Sequence, residues 1–465
     1  MTGLSAGAAS ADITPPESVM LDGYGGRFQP SQGVHDPLFA RALVLEAAHP
    51  EAHEGRAEPP HRSAAIVVLD LLAVHPWMAA ELRRRAHQTL GIPEDAIMLS
   101  ATHDHAAPVG LRSGMFSRLD EALAQKTVAA CLDALTRAWG SRRPATLKLG
   151  TADVAGVAMN RRDPGGPVDS TVRVLLLDSD EGPIASLVSY ACHATVLSGQ
   201  NLHVSAEFPG AACRIVEAAT GVPAVYLQGA CGDVNPVWVR QDFASVERAG
   251  QAVAGAALSV IARLRGLGPG LRAHNIRWDE FIEPAGAGKG PSPDRISQPR
   301  LRAIRREIDL TQREFASDEE YGARIDATRA EADKHPASSP RRRAAMAQLS
   351  RFEGERWAAA WARRSGEGPE RRTEVQALSL GDGLAVLALP GEFFAETAAA
   401  VRAESGLEQL IVNCYANDYL GYVVPGHAYE EGGYESGVTF FGPEAESIIR
   451  TVSLDLLREV CRDGD

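Results

Sequence analysis

The sequence Leu99-Ser-Ala-Thr-His-Asp-His-Ala-Ala-Pro108 guides the interpretation of the whole chain. It begins at the end of a compact apolar run, residues 96–99, which predicts the end of a buried strand. His103 and His105 follow where that strand stops, and side chains two residues apart in extended backbone point to the same face. Ligands and metals bind at the carboxyl ends of strands in α/β proteins. We therefore predict that this histidine pair begins a metal site.

Apolar runs alternate with amphipathic stretches on both sides of the histidine pair. Residues 64–74 predict a central strand, residues 77–90 a helix, and residues 119–139 a longer helix. The alternation continues over 171–265 and resumes after residue 374. It predicts an α/β fold with a mixed β-sheet core covered by helices. No internal repeat is visible in the sequence.

A charged segment interrupts this alternation. Residues 284–293 are rich in Gly and Pro and predict a linker, and residues 51–62 predict an exposed hairpin tip. From about residue 300 to residue 364 the chain is charged, with apolar residues at helical spacing, which predicts an inserted charged helical hairpin. This insertion is either a solvated appendage or a lid or oligomerisation arm. Apolar residues at helical spacing include Leu301, Ile304 and Ile308. The predicted domains are a single α/β catalytic domain over 1–283 and 373–465, with linker and insertion over 284–372.

Composition excludes several classes of protein. The 465 residues carry a formal net charge of −13, which argues against a general nucleic-acid binder. No apolar stretch reaches the roughly 18 residues of a transmembrane helix. The N-terminus has no basic region followed by an apolar one, so we expect no secretory signal and a cytoplasmic protein. The six cysteines are scattered without a Cys-x-x-Cys pair, which argues against a disulfide framework and a thiolate zinc site.

Two further residues repeat the context of the histidine pair. A hydrolytic zinc site needs about three or four protein ligands. His193 follows the apolar run 185–190 and precedes a small-residue loop, as His103 does. The alternative for His193 is a hydrogen-bonded core histidine. Glu392 follows another apolar run and a Pro-Gly turn, and its alternative is a carboxylate favoured by a helix N-terminus.

Tyrosines are concentrated near the end of the chain. Five of the nine lie between Tyr415 and Tyr434, in a loop rich in Gly. Such tyrosines either pack with a hydrated hydroxyl or line a pocket and donate hydrogen bonds to an oxyanion. Arg161 either pairs with a substrate carbonyl or carboxylate or is a surface arginine.

Motifs of other enzyme classes are missing from the sequence. It has no Gly-x-Ser-x-Gly elbow, so a serine enzyme of the α/β-hydrolase type is disfavoured. It has no Walker A motif, no Gly-x-Gly-x-x-Gly after a strand and no His-Glu-x-x-His. Nucleotide binding and the common zinc-protease chemistry are therefore disfavoured as well.

In combination, the motifs resemble the neutral/alkaline non-lysosomal ceramidase family. No single piece is highly specific, but their order along the chain is. The pieces are Ala11-Asp-Ile-Thr-Pro15, Thr102-His-Asp-His-Ala-Ala-Pro108, Asn160-Arg161, Cys192-His-Ala-Thr195, Gly229-Ala-Cys-Gly-Asp-Val-Asn-Pro236, Pro390-Gly-Glu392 and the loop from Tyr422 to Tyr434. We expect a short member of the bacterial type, without the C-terminal β-rich domain of secreted members.

The resemblance implies a zinc-dependent amidase that hydrolyses an N-acyl amide, ceramide-like or smaller, with a metal-activated water. His105 would lie beside this water, and Arg161 and Tyr434 would contact the scissile amide. The implied zinc ligands are His103, His193, Glu392 and Tyr422. The implied partner is a small-molecule amide substrate, which includes lipid amides. The protein either forms a homo-oligomer or is monomeric. Two alternatives are a zinc hydrolase of an ester or cyclic amide and a non-catalytic protein that presents its insertion to a partner.

Overall fold

Three units with the same order of elements build the fold. In each unit three strands pair antiparallel in succession, a helix crosses over, a fourth strand pairs parallel with the third, and another helix follows. The strands come from apolar, β-branched runs such as Ala64-Ala-Ile-Val-Val-Leu69. The first unit contains β1 (Leu4–Asp12), β2 (Phe39–Ala47), β3 (Ser63–Leu69), α1 (Pro76–Leu90), β4 (Ile97–Ala101) and α2 (Glu121–Gly140).

The second and third units follow the same order. The second contains β5 (Thr146–Asp153), β6 (Thr171–Ser179), β7 (Gly182–Tyr190), α3 (Glu207–Thr220), β8 (Ala224–Gln228) and α4 (Phe243–Leu264). In the third, a helical hairpin separates the first two strands. The third contains β9 (Arg302–Thr311), α5 (Asp318–Asp333), α6 (Pro340–Ser365), β10 (Glu370–Gly381), β11 (Leu384–Ala388), α7 (Ala395–Ser405), β12 (Gln409–Asn413) and α8 (Ala445–Val460).

The structure is a computed structural model that describes residues 3–47, 61–111, 119–266, 294–296, 299–365 and 368–462. The predicted linker at 284–293 lies outside these residues, as does most of the predicted hairpin tip at 51–62. Shorter elements lie within and between the units. They are the strands Gly33–Val34, Arg143–Pro144, Ala158–Asn160, His203–Val204, Val234–Pro236, Asp294–Arg295, Glu392–Phe393 and Tyr422–Val423, the helices His427–Glu431 and Tyr434–Val438, and the 3-10 turn Glu94–Ala96.

Each sheet has one face toward a shared central core and the other toward helices. The central core contains strand residues of all three units, such as Val68, Leu187 and Val386, and no residue of the labelled helices. The outer faces pack against the helices of their own unit, as Leu176 does with α3 and α4. The predicted α/β class with mixed sheets covered by helices is confirmed, although the core holds three sheets instead of one.

The helix predicted from Leu301, Ile304 and Ile308 is wrong, because this part of the chain leads into and forms strand β9. Its side chains alternate with a period of two. Leu301 and Ala303 enter the central core, whereas Ile308 and Leu310 enter the outer core beside the helices. The predicted helical hairpin is shorter than expected and consists of α5 and α6. The proposed domain boundaries stay a prediction.

The fourth strands of the three units end at one place. The backbone nitrogen of Ala101 donates to the carbonyl oxygen of Tyr415 at 3.1 Å, and that of Cys414 donates to the carbonyl oxygen of Gln228 at 2.8 Å. The side-chain amide of Gln228 donates to the carbonyl oxygen of Thr102 at 2.9 Å. These bonds join the strand ends and bring the residues that follow them together.

Candidate metal centre

Three imidazoles and a carboxylate converge at this meeting point. Nε2 of His193 lies 3.1 Å and Nε2 of His103 3.4 Å from Oε2 of Glu392. Nε2 of His105 lies 3.2 Å from Nε2 of His103. His103, His193 and Glu392 are each at most 2% exposed. His103 belongs to the first unit, His193 to the second and Glu392 to the third, so the whole fold is needed to assemble the group.

Backbone carbonyls determine which nitrogen of each buried histidine carries the proton. Nδ1 of His103 lies 2.9 Å from the carbonyl oxygen of Leu72, and Nδ1 of His193 lies 2.5 Å from that of Cys231. A carbonyl only accepts, so both Nδ1 atoms donate and both Nε2 atoms keep a free lone pair. Metal-binding histidines are held in this way by partners outside the ligand set.

The pKa shifts favour the charge states that a cation needs. Burial lowers the pKa of His193 to about 4 and that of His105 well below its usual value, so both rings are neutral at neutral pH. Neutral imidazoles beside an ionised carboxylate form a suitable set for a divalent ion.

The loop around Gly23 packs tightly against His105. A Cβ atom on Gly23 would lie 2.3 Å from Nδ1 of His105, and the φ angle of Gly23 is +92°, so only glycine fits there. Arg27 donates through Nη1 to the carbonyl oxygen of His105 at 2.8 Å. The ring of Tyr24 lies edge-on to His105, with 5.1 Å between centroids. This packing restricts the orientation of the His105 ring.

Arg161 is held beside the group by partners from two units. It donates through Nη2 to the hydroxyl oxygen of Tyr422 at 2.9 Å, through Nε to Oε1 of Glu435 at 2.7 Å and through Nη1 to Oδ1 of Asn235 at 3.2 Å. A parallel backbone pair places Tyr422 next to Glu392. Tyr434 lies at the edge, with 52% of its surface exposed and its ring centroid 5.7 Å from that of Tyr422.

The structure therefore brings together the predicted residues His103, His105, His193 and Glu392, and places Arg161, Tyr422 and Tyr434 along one side. Three residues with contacts to this group had no individual role in the prediction. The hydroxyl of Tyr419 donates a short hydrogen bond to Oε1 of Glu392, and the ring of Tyr415 stacks on His103 at 4.0 Å. Glu435 binds Arg161 and also Arg162, at 2.7 Å. The tyrosine cluster in the sequence was the available signal for the first two.

The donor set fits a metal ion. The ring nitrogens of His103, His105 and His193 lie within 4.8 Å of one another and could hold an ion together. Two of these rings have their other nitrogen bound to a carbonyl, and a buried carboxylate lies against them. His103 also has a φ of +61°, a strained angle for a residue with a side chain, which is common at functional sites.

This fold and this cluster define an α/β protein with a candidate metal centre at its strand ends. A family model described as neutral/alkaline non-lysosomal ceramidase, N-terminal, matches residues 4–237. The chain belongs to this family, and the resemblance inferred from its motifs is confirmed.

Named relatives agree with this assignment. The chain is 27% identical over 256 residues to a neutral ceramidase of Pseudomonas aeruginosa, which is 50% of this chain and 36% of that protein. It is 27% identical over 248 residues to a neutral ceramidase of Mycobacterium tuberculosis, which is 49% of this chain and 37% of that protein. The matches thus span little more than a third of the relatives' length.

The fold has a counterpart among solved structures. The crystal structure of neutral ceramidase from Pseudomonas aeruginosa superimposes with a TM-score of 0.73 at 18% identity. The match covers 100% of this chain and 76% of that one. No helix among the described residues has the length and apolar character needed to cross a lipid bilayer.

Proposed function

We propose that this protein is a zinc-dependent amidase of the neutral ceramidase type. The observation that carries the proposal is the convergence of Nε2 of His103 and His193 on Oε2 of Glu392, with both Nδ1 atoms donating to carbonyls. Imidazole nitrogens and a carboxylate oxygen, without thiolates, are the ligands of hydrolytic zinc sites. Tyr422 would be the fourth ligand, as the resemblance to the family implies, and it lies beside Glu392 in a backbone pair.

A bound zinc ion would supply Lewis-acid activation of a water molecule and of the amide carbonyl. Arg161 would bind the carbonyl oxygen of the substrate and stabilise the negative charge that develops on it. Its guanidinium is suited to this because Glu435 and Asn235 hold two of its nitrogens and fix its plane. Tyr434, at the exposed edge, would donate a second hydrogen bond to the same oxygen.

His105 would transfer a proton to the leaving amine. Its Nε2 faces the group, and its Nδ1 has no hydrogen-bond partner among the described residues. Nε2 of His105 would accept a proton from the attacking water and then release it to the amine nitrogen. The separation of roles, with His103 as a ligand and His105 as the proton carrier, follows the resemblance to the family.

The substrate class follows from the relatives' names. Proteins named neutral ceramidase act on ceramide, an N-acyl amide, so we propose an N-acyl amide for this chain, ceramide-like or smaller. The same centre is chemically able to hydrolyse an ester, which is why the test must include paired substrates.

The test is metal analysis combined with a hydrolysis screen. Purified protein should contain about one zinc per chain, and it should hydrolyse members of a panel of N-acyl sphingoid bases, N-acyl amino acids and short amides, each paired with its ester analogue. His103→Ala should lose both zinc and turnover. Full amide turnover by metal-free protein would contradict the proposal. Turnover of the esters alone would support the ester alternative. Weak zinc binding together with no turnover would support a non-catalytic protein.

A further inference from the structure

The helical hairpin lies against the chain segment that carries Tyr434 and Glu435. We call residues 426–441 the tyrosine segment. From α6, the side-chain amide of Gln348 donates to the carbonyl oxygen of Glu430 at 3.2 Å. The carbonyl oxygen of Ala347 accepts from the backbone nitrogen of Gly433 at 3.0 Å. The hairpin therefore bonds to the backbone of this segment and is not a solvated appendage.

An Arg–Glu–Arg group with a buried glutamate strengthens this contact. Glu355 of α6 is 5% exposed and pairs with Arg351 at 2.8 Å and with Arg313 at 3.3 Å. Arg351 donates to the carbonyl oxygen of Tyr429 at 2.6 Å, and Arg313 donates to that of Gly437 at 2.6 Å. The two arginines thus bind the segment at points eight residues apart, and one glutamate holds both of them.

A second Arg–Glu–Arg group lies on the other side of the same segment. There Glu435 holds Arg161 and Arg162, each at 2.7 Å. The short helix Tyr434–Val438 therefore lies between two such groups. The group at Glu355 binds its backbone, and the group at Glu435 connects its side chain to the candidate metal centre.

Two glycines allow the backbones of α6 and the short helix Tyr434–Val438 to come into direct contact. A Cβ atom on Gly354 of α6 would lie 3.0 Å from the backbone of Gly437, and one on Gly437 would lie 2.6 Å from the carbonyl oxygen of Arg351. A Cβ atom on Gly354 would shift the backbone of the short helix by a few tenths of an ångström, and one on Gly437 would require a larger shift. In contrast, a Cβ atom on Gly322 in α5 would meet nothing within 4 Å.

We propose that the hairpin is a positioning element of the site, with Arg313, Arg351 and Glu355 as positioning residues. It fixes the tyrosine segment so that Glu435 orients Arg161 and so that Tyr434 stays at the edge of the site. This inference rests on the proposed function, because it assigns the hairpin a role in amide turnover. A displacement of about 1 Å in a positioned group reduces turnover by about 100-fold, and the glycine contact has little room for movement.

The experiment compares Gly354→Ala with Gly322→Ala in the full chain. Both substitutions place alanine in a helix of the same hairpin, so they share any effect on helix propensity. Gly354→Ala should reduce kcat at least tenfold while zinc content and Tm stay near those of the unchanged protein, and Gly322→Ala should keep kcat within twofold. Unchanged kcat in a folded Gly354→Ala protein would overturn the proposal. If Gly354→Ala does not fold, the same measurements are made on Glu355→Gln. Its control is Arg356→Gln, because Arg356 is exposed on the same helix.

Hydrogen exchange separates this inference from the proposed function. In Gly354→Ala, amides of the tyrosine segment should exchange at least tenfold faster, while those of residues 97–105 should keep their rates. This readout holds even if the unchanged protein hydrolyses no amide in the panel, a result that would contradict the proposed function alone. Unchanged exchange over residues 426–441 would overturn the positioning role whatever the activity.

Discussion

Nε2 of His193 lies 3.1 Å from Oε2 of Glu392, although 199 residues separate the two in the chain. Both side chains are almost completely buried, and no lysine or arginine forms an ion pair with this carboxylate among the contacts of the described residues. A buried carboxylate without a cationic partner is costly. A divalent ion shared with the two imidazoles would remove this cost, so Glu392 should be essential for metal binding.

Glu392→Gln should reduce zinc affinity by more than about 100-fold, because loss of a ligand should exceed the roughly 10–100-fold cost of losing a supporting partner. The substitution keeps the size of the side chain and removes its charge. Zinc content after dialysis against a graded series of chelator measures the effect. Glu396→Gln is the matched control, because Glu396 is only partly buried on α7 and pairs with His427 instead. Equal zinc retention by both variants would contradict the role assigned to Glu392.

Tyr419→Phe should weaken zinc binding about 10–100-fold without abolishing it. The Tyr419 hydroxyl donates to Oε1 of Glu392, the oxygen that does not face the two imidazoles, and so it orients the carboxylate. Competition with a fluorescent zinc chelator measures the change. Tyr321→Phe, a substitution of a buried tyrosine in the hairpin, should leave zinc affinity unchanged, and a similar loss in both variants would count against a specific effect.

His105→Gln should keep zinc and lose turnover, by about 10²–10⁴-fold for the loss of a general acid–base group. The prediction follows from the roles proposed for His103 and His105, whose Nε2 atoms lie only 3.2 Å apart. Metal content and kcat must be measured on the same sample. Loss of zinc together with turnover would instead make His105 a ligand.

Arg161→Lys should lower kcat by about 10²–10³-fold with zinc retained, because a lysine cannot bind Tyr422 and Glu435 at once in the geometry of a guanidinium. Arg162→Lys is a close comparison. Arg162 also pairs with Glu435, but Arg161 alone of the two bonds to Tyr422. Steady-state kinetics should show the larger loss for Arg161→Lys, and equal losses would show that only the shared Glu435 contact matters.

Stability should fall between about pH 4.5 and pH 7 because of Glu207. Burial raises the pKa of its carboxyl to about 7, against bonds from the backbone nitrogens of Leu197 and Phe208 that lower it. The folded protein therefore keeps the proton in a range where the unfolded chain has lost it, and stability declines as pH rises, by about 3 kcal/mol over the whole range. Glu207→Gln should remove this decline in urea unfolding with chelator present. Equal slopes in both proteins would contradict it.

Strand ends were the part of the site that the sequence could predict. His103, His193 and Glu392 each follow an apolar run, and this local pattern can be recognised without knowledge of the fold. The supporting contacts could not be predicted in the same way. Tyr419 reaches Glu392 because a two-residue strand pairs residues 392–393 with residues 422–423, and nothing in either short sequence identifies its partner.

The limits of periodicity explain the error at strand β9. Leu301, Ile304 and Ile308 fit a helical spacing, but they face two different cores, and the alternation is completed by the small residue Ala303 and by Leu310. The threefold repetition of the fold is not visible in the sequence either. It is a repetition of strand pairing, and strands pair through backbone hydrogen bonds, which require no particular side chains. The same holds for the backbone bonds that join the units, such as that from Ala101 to Tyr415.

The distribution of the candidate ligands over three units has a consequence for folding. A bound ion would contact the first unit through His103, the second through His193 and the third through Glu392, so its binding free energy would be lost when any one unit opens. The metal would then couple the units thermodynamically. Without the ion, the central core, the strand-end bonds and ion pairs such as Arg83–Glu374 and Arg161–Glu435 still join the units. The units would then lose one shared contact, and thermal unfolding would be less cooperative than in the metal-loaded protein.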